Sequence, residues 1–213
     1  MKAIAINGSA RKGWNTYTLL EKALEGAASK GAQTEMINLY ELNFKGCIGC
    51  LGCKRKGGNV GRCAVKDGLT PVLDSIHECD ALFLGSPIYI GEVTGEMRSF
   101  YERLTFQYLS YDKERKPAFE RKIKSAFIFT TNCPENMYDT VGYTAKFAEY
   151  NRFMSMLLGE NKTLGVGETW QIEDYDKFHM SMFDVPDRRR IREEKFPQDC
   201  EKAFELGVWA AEN

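Results

Sequence analysis

Five short apolar runs, separated by stretches of helical period, recur along this 213-residue chain, and that alternation restricts the folds open to it. Ala3 to Asn7, with β-branched Ile4 and Ile6, reads as a buried strand. Leu19, Leu20, Ala23, Leu24 and Ala27 then recur at helical spacing and stop at Gly31, a C-cap residue. Thr34 to Leu39 alternates as a second strand, and a helix over about Thr70 to Glu78 carries Val72, Leu73 and Ile76. Ala81 to Gly85 is a third strand, stopped by Ser86-Pro87, and Met97, Phe100, Tyr101 and Leu104 mark the next helix. Ser125 to Thr130 is a fourth strand, followed by a long helix over about Thr140 to Leu158. Thr163 to Gly167 is a fifth, and a final helix includes Ala203, Leu206, Val208 and Trp209. Such alternation argues for a parallel sheet covered on both faces. The expected architecture is one α/β domain, residues 1–213, on a doubly wound five-stranded parallel sheet. It carries an inserted cysteine-rich loop, about 42–66, and an irregular C-terminal extension, about 168–213.

Composition narrows the function classes. A chain that is 43% hydrophobic can bury a sizeable core, and a net charge of −1 gives no electrostatic reason to expect nucleic acid or an anionic membrane. The opening Met1 to Asn7 is too short an apolar run for a signal peptide, and no stretch approaches the ~18 apolar residues of a membrane span. With seven cysteines, an odd number, and no export signal, a reducing cytoplasm is the expected location.

The inserted loop holds Cys47-x2-Cys50-x2-Cys53-x9-Cys63. Three thiols at that spacing can wrap one face of an inorganic cluster, and a fourth can close the cage, which is iron–sulfur spacing. Structural zinc more often uses two separated cysteine pairs. Free or redox-active thiols are the remaining reading, since an odd number cannot all pair. The flanking glycines, among them Gly46, Gly49 and Gly52, let backbone amides approach sulfur.

Sheets of this class bind ligands beyond the carboxyl ends of their strands, where strand order reverses. The first such loop runs into a helix start rich in hydroxyls and amide: Ser9, Asn15 and Thr16, with Arg11 to supply charge. A helix N-terminus is a ready phosphate site. Neither G-x-x-x-x-G-K-[ST] nor G-x-G-x-x-G occurs there, so a terminal monophosphate such as that of FMN fits better than a nucleotide polyphosphate. Ordinary capping by Asn15 or Thr16 is the competing reading. After the third strand, Pro87 and Gly91 break an apolar segment that includes Ile88, Tyr89 and Ile90, suited to packing on a flat aromatic ring. The loop Thr130 to Asn136 is small and polar, suited to a ring edge.

Other constellations carry less. His77 and His179 are the only histidines, and His77, on a predicted helix, reads as a surface or core-edge residue rather than a base. There is no G-x-S-x-G and no catalytic side chain is assigned. Arg188, Arg189, Arg190 and Arg192 precede Glu193 and Glu194, the pattern of a solvated, salt-bridged helix face. Trp170 and Tyr175 suit either the substrate face or core packing, and of the dispersed Cys79, Cys133 and Cys200 only Cys133 falls near the expected ring.

The GSARKGWNT opening, the SPIYIGEVTGEMRSFYERL segment and the cysteine loop together resemble the NAD(P)H-dependent FMN reductase group of flavodoxin-like proteins, and more narrowly its iron–sulfur flavoproteins. The resemblance covers roughly residues 1–135 and implies a flavodoxin-like fold. It implies that Ser9, Arg11, Asn15 and Thr16 bind the FMN phosphate, that Pro87, Ile88, Tyr89, Ile90 and Gly91 cradle the ring, and that Thr131, Asn132 and Cys133 lie against its far side. It further implies a [4Fe–4S] cluster on Cys47, Cys50, Cys53 and Cys63. The chain departs from that pattern in the nine residues before Cys63 and in Trp14, where glycine is common.

The function so expected is an FMN-dependent oxidoreductase, passing electrons from NAD(P)H or a ferredoxin-like donor to a small-molecule acceptor. The alternative is a redox carrier or sensor, without a dedicated substrate, whose cysteines bind zinc or act as thiols. The resemblance also implies a homodimer or homotetramer with the cysteine loop at the interface. Phe100, Tyr101, Phe106, Tyr108, Leu109 and Tyr111 offer aromatic and apolar surface for such a contact.

Overall fold

The computed structural model describes residues 1–212, so only Asn213 of the C-terminal extension lies outside the described residues. Strands β1 (Lys2–Asn7), β2 (Gln33–Asn38), β3 (Ala81–Tyr89), β5 (Lys124–Thr130) and β6 (Asn161–Val166) form a parallel sheet in the order β2-β1-β3-β5-β6. The two-residue β4 (Glu92–Val93) folds back antiparallel on the end of β3. Strand order reverses between β1 and β3, where Gly85 stands opposite Asn7. This is the flavodoxin-like order, and it puts a crevice at that switch point.

Alternate residues of each strand feed two cores. Ile4, Ile6, Leu82, Leu84, Phe127 and Phe129 face α2 (Thr70–Glu78), α3 (Gly95–Tyr108) and α4 (Tyr143–Leu158). Ala3, Ala5, Ala81, Phe83, Ala126 and Ile128 face α1 (Asn15–Ser29) and α6 (Phe196–Ala211). Burial on both faces is why the strands read as apolar runs rather than alternating ones. On the second face the helices themselves nearly touch: a Cβ on Gly26 would fall 2.0 Å from the Phe204 carbonyl oxygen, and one on Gly207 would fall 1.9 Å from that of Ala23.

The structure corrects three expectations. Strand β3 does not stop at Ser86-Pro87 but continues to Tyr89, with Pro87 in register with Thr130. The proline is tolerated because β1 ends at Asn7 opposite Gly85, so Pro87 is flanked by β5 alone. The C-terminal extension is irregular only up to residue 184, since α5 (Val185–Glu194) and α6 follow. Tyr108 is fully buried, edge-on to His77 with ring centroids 5.1 Å apart, so it serves this chain's own core along with Phe100 and Tyr101. Burial there pushes the His77 imidazole down to about 4, in keeping with a core-edge residue.

Candidate functional site

Three post-strand loops converge at the switch point on one open cleft of about 450 Å³. Helix α1 starts at Asn15 with Trp14 at its N-cap, and no side chain caps it, so the ordinary capping reading of Asn15 and Thr16 does not hold. Of the residues expected on this loop, Ser9, Arg11, Asn15 and Thr16 all line the cleft. Thr16 is buried, its hydroxyl 2.7 Å from that of Thr130 at the end of β5. Ser9 is also buried, and its Oγ accepts the Arg11 N–H at 3.1 Å.

The second wall is the β3–β4 hairpin. Pro87, Ile88 and Tyr89 line the cleft. Ile90 and Gly91 do not: they are the hairpin tip, both at positive φ (51° and 79°), and Ile90 is fully exposed. Ser86 and Thr94 hold the hairpin's base. Thr94 donates its N–H to Ser86 Oγ at 3.0 Å and its hydroxyl to the Gly8 carbonyl at 2.7 Å, joining hairpin to first loop.

Thr131, Asn132 and Cys133 supply the third wall, as expected. Burial, with the Glu168 carboxylate nearby, pushes the Cys133 thiol up, which keeps it protonated and unsuited to nucleophilic work. Asn132 Oδ1 and Gln171 Oε1 are buried acceptors with no partner, a mismatch that a ligand rich in hydroxyl and N–H donors would resolve.

Sequence reasoning missed the fourth wall. Thr169, Gln171, Ile172, Phe178 and Met180 line the cleft from the segment after β6, with Tyr143 beside them. That segment is strapped down by long-range bonds. Arg11 donates to the Gln171 carbonyl, Asn15 Nδ2 to the Trp170 carbonyl at 2.7 Å, and the Thr169 hydroxyl to the Thr131 carbonyl at 3.2 Å, while Arg188 of α5 donates to the Asn132 carbonyl at 3.3 Å. Arg192 donates to Asn15 Oδ1 at 2.8 Å and lies 3.8 Å over the Phe196 ring. Arg190 alone pairs as a salt-bridged helix face would, with Asp187 and Glu194. Tyr175 is buried edge-on to Trp170, which fits core packing.

The cysteine loop forms a separate site against α3. Cys47, Cys50, Cys53 and Cys63 all line one small cavity, whose floor includes Arg103 and Gln107. Among the described residues no three Cys, His, Asp or Glu side chains are close enough to hold one metal ion. The loop is anchored mostly through α3. Arg103, fully buried, bonds Asp67 at 2.5 Å and the carbonyls of Lys45 and Val65, both at 3.2 Å. Gln107 Oε1 accepts the Cys63 N–H at 2.9 Å, and Lys54 caps the helix end through the Phe106 and Gln107 carbonyls at 2.5 and 2.9 Å. Gly52 is required because a Cβ there would lie 2.4 Å from that of Ala64. Burial holds the Cys53 thiol above its ordinary range, opposed by the Lys54 ammonium.

Known proteins resemble this chain in sequence and in fold. It is 37% identical over 103 residues to an iron-sulfur flavoprotein of Methanocaldococcus jannaschii, covering 48% of this chain and 51% of that protein. It is 39% identical over 103 residues to an iron-sulfur flavoprotein of Archaeoglobus fulgidus, covering 48% of each. The chain thus spans about half the length of the curated relatives it matches. An NAD(P)H:quinone oxidoreductase from Methanothermobacter marburgensis superposes with a TM-score of 0.69 at 14% identity, over 98% of each chain. An FMN-dependent NADH-azoreductase from Bacillus anthracis, solved in complex with FMN, gives 0.64 at 12% identity over 100% of each. These structural likenesses establish the flavodoxin-like fold. Residues 1–132 match the family model described as NADPH-dependent FMN reductase, and the chain belongs to that family.

Proposed function

We propose that this protein is an FMN-dependent oxidoreductase that takes electrons from NAD(P)H or a ferredoxin-like donor and passes them to a small acceptor. The observation that carries the reading is the convergence of the three post-strand loops on one cleft whose uncapped helix start and orphaned acceptors suit FMN. Ser9, Thr16 and the N-terminal amides of α1 would hold the phosphate, with Arg11 and Asn15 beside them. Pro87, Ile88 and Tyr89 would pack on the ring, and Thr131, Asn132 and Cys133 would border its edge. Ile90 and Gly91 would act by shaping the hairpin rather than by touching the ring.

Four cysteines around one cavity, their spacing, and the names of the relatives support a [4Fe–4S] cluster on Cys47, Cys50, Cys53 and Cys63. When bound, FMN supplies one- and two-electron chemistry and a cluster supplies single electrons. The protein's own part is to orient, exclude water and set potentials, which needs no acid, base or nucleophile.

Between residues 45 and 66 stand Lys45, Lys54, Arg55, Lys56, Arg62 and Lys66, with no carboxylate, which favours an acidic protein as donor at that end. Exposed Ile48, Leu51, Tyr111 and Met156 near the groove between α3 and α4 support a homodimer or homotetramer with the cysteine loop at its interface. Light scattering should then give a multiple of 24.3 kDa. Seven free thiols are in keeping with a reducing cytoplasm, and no described helix is long and apolar enough to cross a membrane. Steady-state NAD(P)H oxidation by FMN-loaded protein with a quinone acceptor tests the enzyme reading. Sustained turnover is expected, and turnover no faster than free FMN alone would favour a carrier.

A further inference from the structure

Two buried side chains on α3 line the cysteine cavity, and each keeps one donor without a hydrogen-bond partner. Arg103 is 1% exposed and Gln107 is 2% exposed, one turn apart, and both line the cavity with the four cysteines. Three of their five side-chain polar atoms make four bonds: Arg103 Nη1 serves Asp67 and Lys45, Nη2 serves Val65, and Gln107 Oε1 serves the Cys63 N–H. The two that remain, Arg103 Nε and Gln107 Nε2, are buried without a partner. Leaving such donors dry costs about 1–3 kcal/mol each, more for a charged group, so a fold that buries two at one cavity needs an acceptor there.

We infer that Arg103 and Gln107 are positioning residues that donate Nε–H and Nε2–H hydrogen bonds to the sulfur atoms of the group held by the four cysteines, and thereby raise its reduction potential. The inference rests on the cluster reading above. A tetrathiolate iron–sulfur cluster is anionic and becomes more so on gaining one electron. A guanidinium and an amide N–H donating to its sulfurs would favour the reduced, more negative form, the lever by which hydrogen bonds to sulfur set such potentials. No bond is made or broken at either side chain in that step. The same residues also hold the loop's shape, so a structural role by itself would alter loading and melting but not the potential of a cluster that still assembles.

The test uses the full chain, reconstituted anaerobically with iron and sulfide, with iron content, melting temperature and cluster potential all measured. Arg103→Lys keeps the charge but loses the Nε–H. Gln107→Glu keeps an acceptor for the Cys63 N–H and replaces the donor. Each is expected to retain iron while shifting the reduction equilibrium at least tenfold toward the oxidised form, about 59 mV lower for a one-electron couple. A measurement on the unaltered protein stands beside them, in case a variant fails to fold. With 15N-labelled arginine, pulsed electron paramagnetic resonance of the reduced cluster should show a weakly coupled nitrogen. Iron retained with unchanged potentials, or a loaded cluster with no coupled arginine nitrogen, overturns the inference alone. Wild-type protein that takes up no iron overturns the cluster reading and this inference with it.

Discussion

The hydroxyls of Thr16 and Thr130 lie 2.7 Å apart, buried, although 114 positions separate them in the chain. That contact joins the first turn of α1 to the last residue of β5 and fixes one end of the cleft. Replacing Thr16 and Ser9 together by alanine removes two buried hydroxyls from the proposed phosphate end. Each hydrogen bond to a charged group is worth about 1.5–3 kcal/mol, so FMN affinity should drop by about a hundredfold or more. Fluorescence titration of FMN reads this directly, and unchanged affinity would remove the phosphate assignment.

Cys50→Ser should abolish iron binding and leave FMN binding intact, because the cysteine cavity and the cleft share no lining residue. Iron analysis after anaerobic reconstitution should find about four irons per wild-type chain and none in the variant. Stoichiometric zinc in both preparations, with no iron, would instead indicate a structural zinc site.

Acid should loosen the cysteine loop through Asp67. Burial pushes its carboxyl up, but the Arg103 hydrogen bond and the Leu69 N–H outweigh that and hold it below its usual value. A folded pKa below the unfolded value of about 3.9 means the contribution is complete above that pH and is lost as pH falls through the folded value. Asp67→Asn leaves the Arg103 charge buried and unpaired, so it should cost about 3–5 kcal/mol at neutral pH. Its stability should also change less than that of wild type below about pH 4, which urea unfolding across pH would reveal.

Most of the fold was legible because parallel strands buried on both faces leave contiguous apolar runs that helices must separate. Residues near their strand ends were legible too: Ser9, Arg11, Thr16, Pro87 to Tyr89 and Thr131 to Cys133 all reach the cleft. That Ile90 and Gly91 form a hairpin tip outside the cleft lining was not legible, because a turn cannot be told from a continuing apolar segment until β4 is seen to pair back on β3. The Thr169 to Met180 wall was invisible, since long-range bonds to Arg11, Asn15 and Thr131 set its place. Arg103 and Gln107 look like solvent-facing residues by type. The signal that could have found them is spacing, for they share one buried stripe of α3 with Phe100 and Leu104.

Gly207→Ala tests the packing account without touching either site. A methyl there meets the Ala23 carbonyl oxygen at 1.9 Å, backbone that cannot swing aside. Overpacking of this kind costs about 1–3 kcal/mol or more, so the melting temperature should fall by several degrees while FMN affinity per folded chain holds. An unchanged melting temperature would mean that α1 and α6 are not in such close apposition.

The central claim is that the cleft at the switch point holds FMN, and a visible-absorption titration of the anaerobically purified, deflavinated protein with FMN tests it most directly. The account predicts saturable binding of one FMN per chain, with a shifted and structured flavin band, and a marked loss of affinity on replacing Tyr89 by alanine, since that ring lines the cleft. A spectrum that remains that of free FMN at every ratio, or binding indifferent to changes at Thr16 and Tyr89 alike, would contradict it.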